Sequence, residues 1–175
     1  MIKQGILENR AKFVFLSIGS NLGNKKLNIE KAKFLIEKND IKIEACSSIY
    51  ETDSWPNNNF PKYFNIVLKV KTFFKPQDLF KKIKKIEVLM GRKKLPINYP
   101  RICDIDIIDY DQKNLKINNY DQKLTIPHPK LHKRNFVLLP LYEIAKNWSH
   151  PKKNKKISKL LRDLGINNLR SVKQL

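Results

Sequence analysis

The chain has 175 residues, a mass of 20.7 kDa and a formal net charge of +20. Its 41% hydrophobic and 30% charged residues give a globular composition with length enough for a core, and no apolar run approaches the roughly 20 residues of a membrane span. The first residues carry no apolar stretch of export-signal length. Cys46 and Cys103 lie too far apart for a zinc pattern and form no disulfide framework, so a reducing, cytoplasmic setting is expected.

A buried strand is predicted over 12–18, KFVFLSI, followed by the turn cluster GSNLGN at 19–24. Asn24 can cap a helix over 25–38, with Leu27, Phe34 and Leu35 available for its buried side. A second strand is predicted over 41–51. The polar, Pro-containing segment 53–61 must be a loop. Over 63–72 the alternation of Phe64, Ile66, Leu68 and Val70 gives a third strand. Pro76 opens a helix to Met90, with Leu79, Ile83, Ile86 and Met90 at helical spacing. A basic loop at 91–100 leads to a strand over 102–110. Short strands around 115–117 and 124–126 flank a turn. An apolar helix over 136–145 contains Pro140, and a lysine-rich loop precedes a last helix at about 157–164. There is no repeat and no internal boundary, so one domain over 1–175 is expected. The order β-α-β-β-α-β is the α+β, ferredoxin-like (split βαβ) arrangement: an antiparallel sheet with helices packed on it in three αβα layers. Such a fold does not by itself imply a function.

The most informative stretch is Asp104-Ile105-Asp106. Residues i and i+2 of a strand share a face, so the two carboxylates stand side by side, about 7 Å apart at Cβ. Unpaired, they repel each other and are costly to bury. A hard divalent cation such as Mg²⁺, which takes one or two carboxylates together with substrate phosphates, resolves both problems. The alternative is an exposed strand face paired to lysines. Arg is scarce, at 6 residues against 30 Lys, yet Arg92, Arg101 and Arg134 all fall in loops or at element ends. An Arg where Lys is the default suggests a planar fork for phosphate. His128, between two prolines, sits in a loop that could hold its imidazole toward a ligand. Tyr63, Phe136 and Trp55 could line a slot for a flat heterocycle.

The charge itself carries less. Lys, Asn and Ile make up 69 of the 175 residues, all with AT-rich codons, and the lysines spread along the whole chain. Codon bias explains this better than selection for nucleic-acid binding, although a basic RNA-binding module of the same fold is the alternative that charge would support.

Together these segments resemble the 6-hydroxymethyl-7,8-dihydropterin pyrophosphokinases of folate biosynthesis. The likeness runs over about 13–148, leaving an N-terminal extension at 1–11. It is carried by LSIGSNLG (16–23), SSIYET (47–52), YFNIVLKVKT (63–72), IEVLMGR (86–92), PRICDIDII (100–108) and LTIPHPKLHKRNFVLLPLYEIA (124–145). The resemblance implies a ferredoxin-like enzyme that transfers the terminal pyrophosphate of ATP to the pterin hydroxymethyl oxygen by attack on the β-phosphorus, releasing AMP. It implies that Asp104 and Asp106 hold two Mg²⁺ ions, and that Arg92 and Arg101 are catalytic, phosphate-binding arginines. It further implies ATP contacts at Glu87, Lys94, Thr125, His128 and Arg134. Tyr63 and Phe136 would sandwich the pterin, Asn65 and the Thr52 backbone would read its polar edge, and Trp55 would add a loop contact. ATP and the pterin are then the partners of a monomer that binds neither nucleic acid nor membrane. The loop GRKKLPINYPR departs from the family pattern: Lys94 stands where a second Arg is usual, and Asn98-Tyr99 replaces a Trp-Gly pair. Lys keeps the charge but loses the bidentate fork, so a low-activity homologue is a further alternative.

Overall fold

The structure is a computed structural model that describes residues 10–54, 57–92, 96, 99–119 and 122–175. Most of the N-terminal extension, Trp55, Lys94 and Asn98 lie outside the described residues.

The first half of the chain gives β1 (Lys12–Ser20), α1 (Lys25–Lys38), β2 (Lys42–Cys46), β3 (Tyr50–Thr52), β4 (Tyr63–Thr72), α2 (Pro76–Leu89) and β5 (Asp104–Tyr110). The central strand β1 pairs antiparallel with β4 on one side and β5 on the other, and β2 and β3 both pair with the far edge of β4. This is the expected antiparallel, ferredoxin-like order. After β5 come the hairpin β6 (Leu115–Asn119) and β7 (Gln122–Ile126), a 3-10 turn at Leu131–Lys133, α3 (Asn135–Ile144), the short hairpin β8 (Ser149–His150) and β9 (Lys155–Lys156), α4 (Ile157–Leu164), α5 (Ile166–Arg170) and β10 (Lys173–Gln174).

Strand alternation divides the core into two clusters. Val14, Leu16 and Ile18 of β1, Ile66, Leu68 and Val70 of β4, and Ile105 and Ile107 of β5 face α1 and α2, where Leu79, Ile83, Ile86 and Met90 meet them. The opposite sheet face gives Phe15, Val67 and Ile108 to a second cluster with Val137, Leu138 and Leu141 of α3 and Leu160 and Leu161 of α4. These are the three layers. The β1–β5 register slips between Phe15 and Leu16, leaving Ile108 without a partner on β1. The slip adds one residue, so Ile108 stays under α3 while Asp109 accepts a 2.7 Å hydrogen bond from Trp148 Nε1.

Three expectations need correction. Asn24 does cap α1, its side chain accepting the Leu27 N–H at 3.0 Å. The buried face, however, is Ile29, Ala32 and Ile36, while Leu27 and Phe34 are exposed. Leu27 and Phe34 are seven residues apart and so share the face opposite the Ile29–Ile36 stripe. The strand predicted over 41–51 is broken at 47–49. There Val67 N–H bonds Ser47 Oγ (3.0 Å), and the Glu143 carboxylate of α3 accepts from Ser48 N–H, Ser48 Oγ and Tyr50 Oη at 2.8–3.1 Å. Side-chain acceptors thus take donors that a continuous ladder would have used. Finally, 157–164 is not the last element, since α5 and β10 follow it.

His150 is buried beneath this second layer, and its Nδ1 accepts backbone N–H groups from Lys152 (3.2 Å) and Lys153 (3.3 Å). Burial, then the neighbouring His132 and Lys153, lower its pKa from the ordinary 6.5 to about 4. The unfolded chain therefore binds this proton more readily than the folded one. The neutral ring contributes its full stability above pH 6.5, and that contribution is lost as pH falls toward 4, by up to about 3 kcal/mol. His150→Asn is expected to flatten the urea-unfolding stability between pH 6.5 and 4. An unchanged slope would assign the acid sensitivity to other groups.

Candidate active site

The layer of α3 and α4 leaves one end of its sheet face uncovered, and a cleft of about 1010 Å³ opens there. A row of paired residues forms its floor: Thr52 faces Tyr63 across β3–β4, Asn65 faces Gly19 across β4–β1, and Gly19 and Ser17 face Asp104 and Asp106 across β1–β5. Space is tight at Gly19. A Cβ there would lie 3.2 Å from Asn65 Oδ1 and 3.5 Å from Tyr63 Cδ1. The nearly buried Asn65 amide donates to Thr52 Oγ1 at 3.0 Å, which fixes its orientation.

The two carboxylates are not left to repel each other. Asp104 lies 2.8 Å from Arg92 Nη1 and 3.3 Å from Arg101 Nη1. Asp106 lies 2.9 Å from Arg134 Nη1 and 3.8 Å from His128 Nε2. Burial pushes the Asp104 carboxyl up, but Arg101, Arg92 and Lys84 together outweigh it and hold its pKa below the ordinary value. Burial lowers the His128 pKa, against the pull of Asp106.

Each cation is delivered by local geometry. Just past the end of α2 comes Gly91, whose φ of +91° suits glycine, and the Arg92 N–H returns to Glu87 O at 3.0 Å. The Arg92 guanidinium then sits between Asp104 and Glu87. The fully buried Glu87 also accepts the Ile105 N–H at 2.7 Å and pairs with Lys84. It thus lies beneath the cleft, among protein partners, and reaches the site through Arg92. His128 is pinned beside β5 by its N–H bond to Ile108 O (3.0 Å).

Of the residues singled out in the sequence, Thr52, Tyr63, Asn65, Arg101, Asp104, Asp106, Arg134 and Phe136 line this one cleft. Arg92 and His128 stand behind the carboxylates. Thr125 sits on β7, opposite Lys116, and is not part of the lining. The sequence reading missed Ser54, Lys130, Lys133 and Asn135, which also line the cleft. It also took Gly19-Ser20-Asn21 only for a turn. Asn21 is buried and ties three segments together. Its Oδ1 accepts the Arg101 N–H (2.8 Å), its Nδ2 donates to Ser54 Oγ and Pro61 O (3.2 Å each), and its own N–H donates to Arg101 O (3.1 Å). Above it, the Phe60 and Tyr99 rings of the two flanking loops meet at 5.6 Å.

This constellation has counterparts in known proteins. Residues 15–146 match the model of the 7,8-dihydro-6-hydroxymethylpterin-pyrophosphokinase family. The chain belongs to this family. A 2-amino-4-hydroxy-6-hydroxymethyldihydropteridine pyrophosphokinase of Aquifex aeolicus is 41% identical over 140 residues, covering 79% of this chain and 83% of that protein. A folic acid synthesis protein of Dictyostelium discoideum is 43% identical over 138 residues, covering 79% of this chain but 20% of the longer protein. The chain thus spans most of the first relative and about a fifth of the second. A solved structure of Plasmodium falciparum HPPK-DHPS superposes with a TM-score of 0.77 over 95% of this chain and 46% of that one, at 17% identity, and so shares the fold. ATP-dependent pyrophosphoryl transfer in folate biosynthesis is the chemistry of the pyrophosphokinase family. The RNA-binding alternative is not favoured, because the cleft aromatics share their floor with two carboxylates.

Asn21→Ala is expected to lower unfolding stability by about 1–3 kcal/mol, since it strands buried donors and acceptors. It should also speed protease cleavage within 53–61. Unchanged melting and cleavage would mean that the loops are held without it.

Proposed function

We propose that the cleft binds ATP and 6-hydroxymethyl-7,8-dihydropterin together. The hydroxymethyl oxygen attacks the β-phosphorus, the bond from that phosphorus to the oxygen shared with the α-phosphate breaks, and pyrophosphate passes to the pterin as AMP leaves. The observation that carries this reading is the single cleft in which Asp104, Asp106, Arg101 and Arg134 stand on the same floor as Tyr63, Asn65 and Phe136.

The donor set fits Mg²⁺. Two carboxylates open into the cleft from one strand face, and among the described residues no cluster of three or more His, Cys, Asp or Glu offers a site that would hold a metal without a substrate. Such a pair suits a hard cation that completes its shell with water and phosphate oxygens. Asp104 and Asp106 would hold two Mg²⁺ ions. When bound, the ions screen the triphosphate and polarise the transferring group. Arg92, Arg101 and Arg134, now paired with the aspartates, exchange those partners for phosphate oxygens, with Lys94 and His128 as further nucleotide contacts. Their charge then opposes the negative charge that develops on AMP and on the transferring group. Tyr63 and Phe136 flank the pterin ring, Asn65 and the Thr52 backbone bind its polar edge, and Trp55 covers it. Catalysis on this reading is positioning and charge stabilisation, with the loops 53–61 and 91–100 keeping water from the phosphates.

A monomer is the working unit in this reading. Among the described residues no helix is long and apolar enough to cross a membrane, and the substrates are small dissolved molecules, so the reading places the reaction in the cytoplasm.

The direct test is AMP formation from ATP, which should require both the pterin and Mg²⁺. AMP formation independent of pterin would overturn the assignment. Asp106→Asn should lower turnover at least about 100-fold. Asp106 is paired with Arg134 rather than strained against Asp104, so the variant loses about 1 kcal/mol of stability instead of gaining any. Near-normal turnover at low Mg²⁺ would remove the metal role. Phe136→Ala should weaken pterin binding by about 1–3 kcal/mol while ATP affinity holds, as calorimetry with each ligand would establish. Equal loss of both would make Phe136 a packing residue.

A further inference from the structure

The match to the family ends at residue 146, but the cleft does not. Leu164 at the end of α4, Asn168 in α5 and Ser171 just beyond it line the same cleft as Thr52 and Phe136. Two sets of bonds hold this segment in place. On one side Asn135 Nδ2 donates to the Asn168 carbonyl at 2.6 Å and to Ser171 Oγ at 3.1 Å, and Ser171 Oγ donates in turn to the Asn168 carbonyl at 2.9 Å. On the other side β10 pairs with β3, placing Lys173 opposite Glu51 and Gln174 opposite Tyr50, and the Leu175 N–H donates to Ile49 O at 2.9 Å.

Asn135 is the residue between Arg134 and Phe136, and β3 ends at Thr52. The segment therefore bridges the two elements that carry Phe136 and Thr52. Arg134 has an anchor of its own in Asp106 at 2.9 Å, whereas the aromatic side of the cleft depends on Asn135. A slot for a flat ring is sensitive to its width, because a gap of about 0.5–1 Å forfeits a quarter to a half of the dispersion attraction.

We propose that residues 166–175 are a positioning clasp for the pterin end of the cleft. Through Asn135 they fix the start of α3, and through β10 they fix β3, so that Phe136 and the Thr52–Asn65 edge are held at the spacing of one aromatic ring. The clasp acts on pterin affinity and leaves the nucleotide end alone. The inference rests on the reading of Phe136, Thr52 and Asn65 as pterin-binding residues.

Full-length wild type, Asn135→Ala and Leu175→Pro test it. The first variant removes both amide donors and also the Oδ1 that accepts the Phe136 N–H at 2.7 Å, so it acts on Phe136 directly as well as through the segment. The second removes the Leu175 N–H and acts from outside the cleft lining, so its effect can travel only through the segment. Binding of 6-hydroxymethylpterin and of a non-hydrolysable ATP analogue with Mg²⁺ is measured by calorimetry, beside thermal melting. Asn135→Ala should weaken the pterin about three- to tenfold, the scale of one or two neutral hydrogen bonds. Leu175→Pro should act in the same direction to a smaller extent, and nucleotide affinity should stay within about twofold in both. A wild type that binds pterin, with variants indistinguishable from it or weakened equally for both ligands, overturns the clasp alone. A wild type that binds the nucleotide but no pterin overturns the functional reading and the clasp with it.

Discussion

Two carboxylates on one face of a strand, in a partly desolvated cleft, set the terms for everything around them. Asp104 and Asp106 need cations, and the fold supplies them separately: Arg92 and Arg101 to one and Arg134 to the other, with the His128 ring 3.8 Å from Asp106. These cations come from the end of α2, the approach to β5 and the turn before α3, three places that only the folded sheet brings together. The same charges that neutralise the aspartates are the ones a triphosphate would use. Both aspartates thus have arginine partners in the ligand-free site, and on the proposed reading substrate binding exchanges those partners for phosphate oxygens.

β5 shows how one short strand can serve three environments. Ile105 and Ile107 go to the core under α1 and α2, while Asp104 and Asp106 face the cleft. Beyond them Ile108, on the same face by alternation, lies beneath α3, and the one-residue slip against β1 sets Asp109 opposite Phe15, toward the Trp148 indole. Charged and apolar residues could not alternate so closely if both sheet faces were covered along their full length. The helical layer stops short of the strand end, and the cleft opens in that gap.

Supports a shell away from the cleft matter as much as the lining. Glu87 is fully buried yet holds both Arg92 and the Ile105 N–H, and its pKa lies above the ordinary value because burial outweighs Lys84 and Arg92. Asn21 joins the backbone N–H of Arg101 to Ser54 and Pro61, so the segments of Ser54 and Pro61 and the one that delivers Arg101 to the cleft share one amide. Both residues fix backbone and side chains at the site without facing the reacting groups.

What the sequence determined by itself was local or periodic. Strand alternation put Asp104 and Asp106 on one face, helical spacing marked Leu79, Ile83 and Ile86 as core, and the Asn24 cap and Pro76 placed two helix starts. The spacing of PRICDID and IPHP pointed to the family and, with it, to the charged and aromatic residues of the cleft, though not to most of its lining. What the tertiary structure decided was choice between faces and long-range pairing. Helical period alone allowed Leu27 and Phe34 to be core, and only the sheet beneath α1 selected Ile29, Ala32 and Ile36 instead. The break between β2 and β3 depends on Glu143, 93 to 95 residues from the groups it bonds. β10 has no strand signal of its own and exists because β3 has a free edge beside it. Hydrogen bonds from Asn21 and Asn135 reach partners 33 or more residues away. Such partners leave no period in the chain, because the energy that selects them is set by desolvation in the packed molecule and not by the residues on either side.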